Sequence, residues 1–396
     1  MKRIVLLAHR VPYPPDKGER IRPYHIIRHL APGWEIRLGC LAFSDDEAQH
    51  ARGLRDLCAE IEVARVRRPT QLARTLAGFR PGRPLMPAFY TSPALRRWTA
   101  RTLPGADALL VSTAAMAPHA EGLAAPRRVI DFIDADSEKW RDYAAASPFP
   151  KNLLWAREAR TLLAYERRLA RTYDHALFVS APERARFAER APESEVKTSA
   201  IENGVDLDFF RPDLDLPTPF EPGTQNLVFT GHMDYRPNID AVTWFARAVV
   251  PRPAPAHEKL RFWIVGASPT PAVLALAADP AIRVTGRVPD TRPYLRHADA
   301  AVCPLAIARG IQNKVLEAAA MGRPVVASAQ AALGIRMEPG RDLLVAEDDE
   351  NFADAVAAVL AGKGGALGPA ARAAMERHYA WTATLAPLDG ILAPGV

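Results

Sequence analysis

Lys314 and Glu317 stand three residues apart in a segment that begins Pro304-Leu305-Ala306-Ile307-Ala308-Arg309-Gly310-Ile311-Gln312-Asn313. The apolar run that ends at Cys303 predicts a strand, and residues 310–321 read as a helix. A helix opening near Gly310 and Ile311 offers unpaired backbone N–H groups and the positive end of its dipole, a setting that suits a diphosphate. Lys314, one turn in, could bring its ammonium to the same phosphates. Glu317 lies on the same face, where its carboxylate could accept both hydroxyls of a ribose. An exposed ion pair on a surface helix has the same spacing, so the pattern by itself leaves both readings open.

A second group of chemically able residues is Asp134-Ala135-Asp136, directly after an apolar run at 128–132. Carboxylates at a strand end are well placed for work in a binding site. An Asp-x-Asp pair can also hold a divalent ion under a diphosphate, and short acidic residues cap the helices that follow them. The reading adopted is one cap and one functional carboxylate, with Ser137 competing for the cap. His9 ends the first strand and reads as a packing residue, while Ser180 and Glu183 read as a helix start. No Ser/His/Asp triad, zinc spacing or Walker sequence is present. Gly18 stands alone after the first strand, so a dinucleotide fingerprint is missing too.

These residues need a scaffold, and the hydrophobic pattern supplies an α/β one. Short apolar runs at 4–8, 35–41, 108–112, 128–132 and 175–179, and again at 226–230, 261–265, 282–285, 300–303 and 324–327, alternate with longer amphipathic stretches such as 151–172. That is the pattern of parallel β/α units. At 396 residues the chain is too long for one ordinary core. Ile201-Glu202-Asn203-Gly204-Val205-Asp206 and the Pro-rich segment after it break the periodicity. The expectation is two doubly wound, Rossmann-like domains facing across a cleft, 1–200 and 201–374, with a last helix at about 375–396 packing back on the first. Ligands in such sheets bind beyond the carboxyl ends of the strands.

Composition narrows the class further. Hydrophobic residues make up 48% and charged residues 24%, the balance of a globular protein. No run approaches the ~18 apolar residues of a membrane span, and 1–8 reads as a buried strand rather than a leader. Three widely spaced cysteines without a metal pattern suit a reducing cytoplasm. Residues 1–200 carry 33 Lys and Arg against 23 Asp and Glu, a balance of +10; the rest carry 18 against 22, a balance of −4. Arginines crowd the stretch from Arg65 to Arg101. They are either a solvated face or a surface for an anionic partner such as a lipid phosphate, an acidic bilayer or an acidic glycan. No nucleic-acid-binding motif accompanies them.

The segment 304–318 resembles the nucleotide-sugar-binding helix of family-4 retaining glycosyltransferases, which have two Rossmann-like lobes of the glycosyltransferase B type. Further resemblances follow in order: 14–22 to the loop after the first strand, 201–206 with Phe210 and Pro212 to the interdomain signature, and 229–238 to the start of the donor domain. Ile264-Val265-Gly266 and Val284-Thr285-Gly286-Arg287-Val288 resemble strand ends that hold the nucleotide. The similarity spans about 4–330 and is nearest to transferases associated with exosortase/PEP-CTERM exopolysaccharide systems.

The resemblance implies a retaining, metal-independent transfer of a sugar from a nucleoside-diphosphate sugar, with no cofactor, in exopolysaccharide biosynthesis. The donor site would comprise Gly18, Gly231 and His232, with Arg287 and Val288 beside the base. Arg309, Gly310, Ile311 and Lys314 would take the diphosphate, and Glu317 the ribose. Lys17 and Arg22 would meet a glycan or polyprenyl-linked acceptor. Asp134, with Asp136 as the second choice, would sit near the anomeric carbon. The implied location is the cytoplasm, with peripheral contact at the inner membrane face. Two departures stand out. The family's earlier glutamate falls at position 309, which is Arg, and its Arg and Lys after the second lobe's first strand are replaced by His232, Arg236 and Pro237. A catalytically silent nucleotide-sugar or glycan-binding subunit is the alternative that Arg309 raises.

Overall fold

A computed structural model describes residues 1–16, 18–253, 256–308 and 311–393. The chain forms two compact units: Met1–Glu202 together with the segment from Leu385, and Asn203–Thr384. Each is a parallel sheet with helices between its strands, so the α/β class and the two Rossmann-like domains are as the sequence pattern predicts.

In the first unit the strands are β1 (Lys2–Ala8), β2 (Trp34–Ala42), β3 (Glu60–Arg65), β4 (Ala108–Ser112), β5 (Arg127–Ile133), β6 (His175–Phe178) and β7 (Thr198–Ala200). They lie in the order β3-β2-β1-β4-β5-β6-β7, every pair parallel. The second holds β8 (Gln225–Thr230), β9 (Leu260–Val265), β10 (Ile282–Gly286), β11 (Ala300–Cys303), β12 (Val325–Ser328) and β13 (Leu344–Ala346). Their order is β10-β9-β8-β11-β12-β13, again parallel.

Central strands of such sheets are covered on both faces, which is why they read as unbroken apolar runs rather than alternating ones. Ile4, Val5, Leu6, Leu7 and Ala8 are all buried, as are Leu227, Val228 and Phe229 on β8. In each sheet the winding reverses between two neighbours, β1 and β4 in the first and β8 and β11 in the second. A crevice opens at the carboxyl end of such a pair, because the connections leave on opposite faces. The C-terminal segment is fixed to the first unit by His29 against Asp389 at 3.2 Å and by Arg127 Nε donating to the Ile391 carbonyl at 2.6 Å. Among the described residues no helix is long and apolar enough to cross a membrane, and the three cysteines are buried and unbridged.

Candidate functional site

In the second unit two glycines set how closely the strand ends meet. Gly231 follows β8 and donates its N–H to the Val265 carbonyl at 3.0 Å; Gly266 follows β9. A Cβ on Gly266, whose φ is +151°, would lie 1.7 Å from the Gly231 carbonyl oxygen. No side chain fits there. A Cβ on Gly231 would lie 2.8 Å from Asn238 Nδ2 and 3.2 Å from Lys314 Nζ, so Gly231 keeps room for those two groups.

Lys314 arrives from the next element of the crevice. The helix after β11 runs Asn313–Ala320, three residues later than the sequence placed its start, with Gln312 as its N-cap in extended geometry. Lys314 therefore belongs to the first turn, beside N–H groups that have no intrahelical acceptor. Its ammonium donates to Asn238 Oδ1 at 2.6 Å and sits 4.1 Å from the centre of the Phe229 ring. The Asn238 amide is held in turn by donating to the His232 carbonyl at 2.8 Å. Among the described residues no carboxylate comes within ion-pair distance of this half-buried ammonium, and burial pushes its pKa down.

Glu317 is also half-buried, and its carboxylate accepts no hydrogen bond among the described residues. Burial raises its pKa to about 7, against the pull of Lys314. The exposed surface pair that the spacing allowed is thus excluded: neither group is exposed, and they form no ion pair. Asn313 Oδ1, at the head of the same helix, is buried without a donor among the described residues. Such an atom costs free energy unless something supplies a proton to it.

The remaining donor candidates separate. Gly231 and Lys314 come together with Asn238 and Gly266. His232 is exposed, and Ile311 is a buried member of the hydrophobic core. Arg287 is exposed just past the β10 end, where the Gly286 carbonyl accepts from Gly266 N–H at 3.2 Å, and Val288 packs against the core. Arg236 is exposed and paired with Asp240 at 2.7 Å. Arg309, Gly310 and Lys17 lie outside the described residues. Asn238 and Asn313 escaped the sequence reading. Asn238 lies inside the 229–238 segment, but nothing in its type announced a lysine partner.

The first unit's strand ends are built differently. On β5 the pairing with β6 slips between Asp131 and Ile133, and Ile133 takes φ +68°, a left-handed conformation unfavourable for a β-branched residue. Strain of this kind persists only where surrounding structure enforces it. It turns the chain so that Asp134 is exposed and Asp136 opens the helix Asp136–Ala146. Neither caps that helix, contrary to the expectation. The N-cap is Ala135, and two glutamates from other helices serve the helix start. Glu183 accepts Ala135 N–H at 3.2 Å, and Glu166 accepts from Ser137 N–H at 3.2 Å and Ser137 Oγ at 2.5 Å. Asp136 is half-buried, and burial raises its pKa to about 6.

Arg22 is a correction. Its guanidinium is 1% exposed, donates twice to Asp131 at 2.7 and 3.0 Å, and donates to the Ile201 carbonyl at 2.7 Å. A group so enclosed braces the first unit and offers no surface to an acceptor. Gly18 begins the helix Gly18–Leu30 and a Cβ there would meet nothing within 4 Å. Near it, Glu19 lies 3.8 Å from His9 and 3.5 Å from Arg10, and these neighbours, His9 first, draw its pKa down to about 2. Among the described residues no three His, Cys, Asp or Glu gather as a metal group.

Residues 224–362 match the family described as Glycosyl transferases group 1. No curated protein matches the chain in sequence. The fold is similar to that of sucrose-phosphate synthase from Thermosynechococcus elongatus, at 18% identity over 99% of this chain and 98% of that one, with a TM-score of 0.71. It is also similar to WaaG, a glycosyltransferase involved in lipopolysaccharide biosynthesis, at 14% identity, 99% and 100% coverage and a TM-score of 0.68. Anabaena HepE, solved with UDP and glucose, aligns at 13% identity, 99% and 100% coverage and a TM-score of 0.67. At these identities the likeness is one of fold.

Proposed function

We propose that the chain is a glycosyltransferase that takes a sugar from a nucleoside-diphosphate sugar held at the carboxyl ends of β8, β9 and β11. The observation that carries this reading is Lys314: a half-buried ammonium without a carboxylate partner among the described residues, at a helix N-terminus, beside strand ends kept bare by Gly231 and Gly266. A diphosphate supplies the anion that this arrangement lacks. Glu317 then accepts the ribose hydroxyls, and Arg287 and Val288 flank the base. The match of 224–362 to a glycosyltransferase family and the UDP bound by a protein of similar fold support the same assignment.

The finer reading is a retaining, metal-independent transfer to a glycan or polyprenyl-linked acceptor in exopolysaccharide biosynthesis, at the cytoplasmic membrane face. Asp134 and Asp136 are the carboxylates proposed to steady positive charge that develops on the sugar. Arg309 in place of the family's glutamate favours one second reading, a nucleotide-sugar-binding subunit without transfer activity.

A panel of UDP-, GDP-, ADP- and TDP-sugars, scored by thermal shift and by nucleoside diphosphate release with and without EDTA, tests both. Stabilisation by one nucleotide class, insensitive to EDTA and lost in Glu317→Ala, is expected. Stabilisation without release, across acceptors, selects the binding subunit. Silence from every donor in a folded protein overturns the donor site.

A further inference from the structure

From residue 63 to residue 106 the chain contains nine arginines and no Asp or Glu. Within this stretch the helix Arg68–Ala77 is built inside out. Its buried residues are Gln71 and Thr75, while Leu72 and Leu76 are 55% and 65% exposed. Polar contacts hold it down: Gln71 Nε2 donates to the carbonyls of Phe89 at 2.6 Å and Thr91 at 3.0 Å. A helix on a water-facing surface normally turns its leucines inward. Here Leu72 and Leu76, one turn apart, continue into Phe79, which is also exposed, and Arg68 stands one turn before Leu72.

The apolar surface extends onto a second element. Arg157, on the helix Lys151–Thr172, stacks its guanidinium 4.3 Å from the centre of the Phe79 ring and donates to the carbonyls of Arg80 and Arg83. One turn before Arg157 stand Leu153 and Leu154, both exposed, and Phe149 just before that helix is 78% exposed. Trp155 packs at 4.8 Å against Trp140, which meets the exposed Tyr143. The Arg68–Ala77 helix also walls an open groove of about 570 Å³, lined by Phe43, Phe89, Tyr90 and Leu72 with Arg10 and Arg68. Among the described residues Arg67, Arg68, Arg80 and Arg83 have no carboxylate in ion-pair range.

We infer that this face of the first unit docks on an anionic phospholipid bilayer, Leu72, Leu76, Phe79, Phe149 and Leu153 entering the acyl boundary and the arginines meeting lipid phosphates. Two features select a bilayer over a protein. Apolar side chains rimmed by unpaired cations with aromatic neighbours are the composition of an interfacial helix, and from residue 63 to residue 106 the charge is of one sign only. A second copy of the chain would bring the same arginines against one another. This names the surface behind the membrane contact in the functional reading and rests on that reading for its purpose, though not for its physics.

The test uses the full chain and vesicles of phosphatidylcholine, with and without phosphatidylglycerol. Co-sedimentation is expected to be at least about tenfold stronger on the anionic vesicles and to weaken as salt rises. The variant Leu72→Ser/Leu76→Ser/Phe79→Ser, all at exposed positions, is expected to keep its melting temperature and lose that binding. Arg67→Gln/Arg68→Gln is expected to lower the preference for anionic lipid while retaining the fold. Equal binding to both vesicles, no binding, or binding unchanged in the leucine variant overturns the inference. So does a dimer in sedimentation velocity that the leucine variant dissolves. Thermal shift by a nucleotide sugar, measured on the same preparations, reports on the donor site separately.

Discussion

On β5 of the first unit, Asp131 is gripped by two hydrogen bonds from Arg22, whose third bond goes to a backbone carbonyl. On the helix after β11 of the second unit, Lys314 donates to the amide of Asn238 and sits over the Phe229 ring, with Glu317 and Asn313 Oδ1 unbonded among the described residues nearby. Both groups belong to sheets of the same winding order. In one, charge is matched inside the protein and serves the fold. In the other, donors and acceptors outnumber their partners, which is how a site prepared for a polar ligand differs from a structural brace. Residue type does not separate the two cases. Arg22 and Lys314 are both cations near strand ends, and only the inventory of partners tells them apart.

The widest contrast comes from breaking the brace. Asp131→Ala leaves the Arg22 guanidinium buried without its carboxylate, which costs about 3–5 kcal/mol. Urea denaturation should show that loss. The paired change Arg22→Met with Asp131→Leu should recover a large part of it, because no unmatched charge remains. A loss below ~1 kcal/mol for Asp131→Ala would show that Arg22 is not structural, and would return it to the acceptor candidates. Lys314→Met should act in the opposite sense. It leaves the fold at least as stable, since an unneutralised half-buried ammonium goes. It should weaken binding of the nucleotide sugar by roughly 10- to 100-fold, the worth of a charge-assisted hydrogen bond. Titration calorimetry measures it, and an unchanged affinity would remove Lys314 from the donor site.

What the sequence could announce follows the same division between matched and unmatched groups. Ten of the strands were readable as apolar runs, nine of them interior strands where two-sided burial demands such runs and one, β10, at a sheet edge. The three that were not, β3, β7 and β13, lie at sheet edges, where only one neighbour pairs and burial is partial. Glu60, Glu62 and Arg65 interrupt β3, and β7 and β13 have three residues each. Lys314, Glu317 and Gly231 were visible because spacing in one segment, or a lone glycine after a strand, marks them. The Asn238 contact joins residues 76 apart, and Glu166 serves a helix start 29 residues earlier. Such pairings are made by tertiary packing, so no local pattern carries them. Arg22 misled for that reason: its partner is 109 residues away.

Glu166 offers a smaller and more specific effect. Burial raises its pKa from an ordinary 4.5 to about 8 in spite of the two hydrogen bonds from Ser137. The unfolded chain releases this proton near 4.5 and the folded one only near 8, so between those values the native state binds more protons. Stability contributed by the protonated carboxyl is therefore full below about 4.5 and falls as pH rises towards 8. Glu166→Gln cannot titrate and can still accept from Ser137 Oγ. It should flatten the decline, narrowing the difference in Tm between pH 5 and pH 8 by about 2–4 °C. An unchanged slope would mean that Glu166 is ionised at neutral pH.

The smallest effect on the fold should come from Gly18→Ala, and its value lies in the contrast with Gly266. An added Cβ at Gly266 strikes a backbone oxygen at 1.7 Å, so Gly266→Ala must part β8 from β9. At Gly18 the same methyl group meets no atom within 4 Å, at the first position of a helix where φ is already right-handed. Alanine also loses less conformational freedom than glycine on folding, so Gly18→Ala should leave stability within about 0.5 kcal/mol or raise it slightly. Any change in the Michaelis constant for donor or acceptor must then come from the methyl group meeting the ligand itself. A raised constant with unchanged melting would place substrate against the start of the Gly18–Leu30 helix. An enzyme indifferent to the change in both respects would remove Gly18 from the site and leave the ligand to the second unit's strand ends.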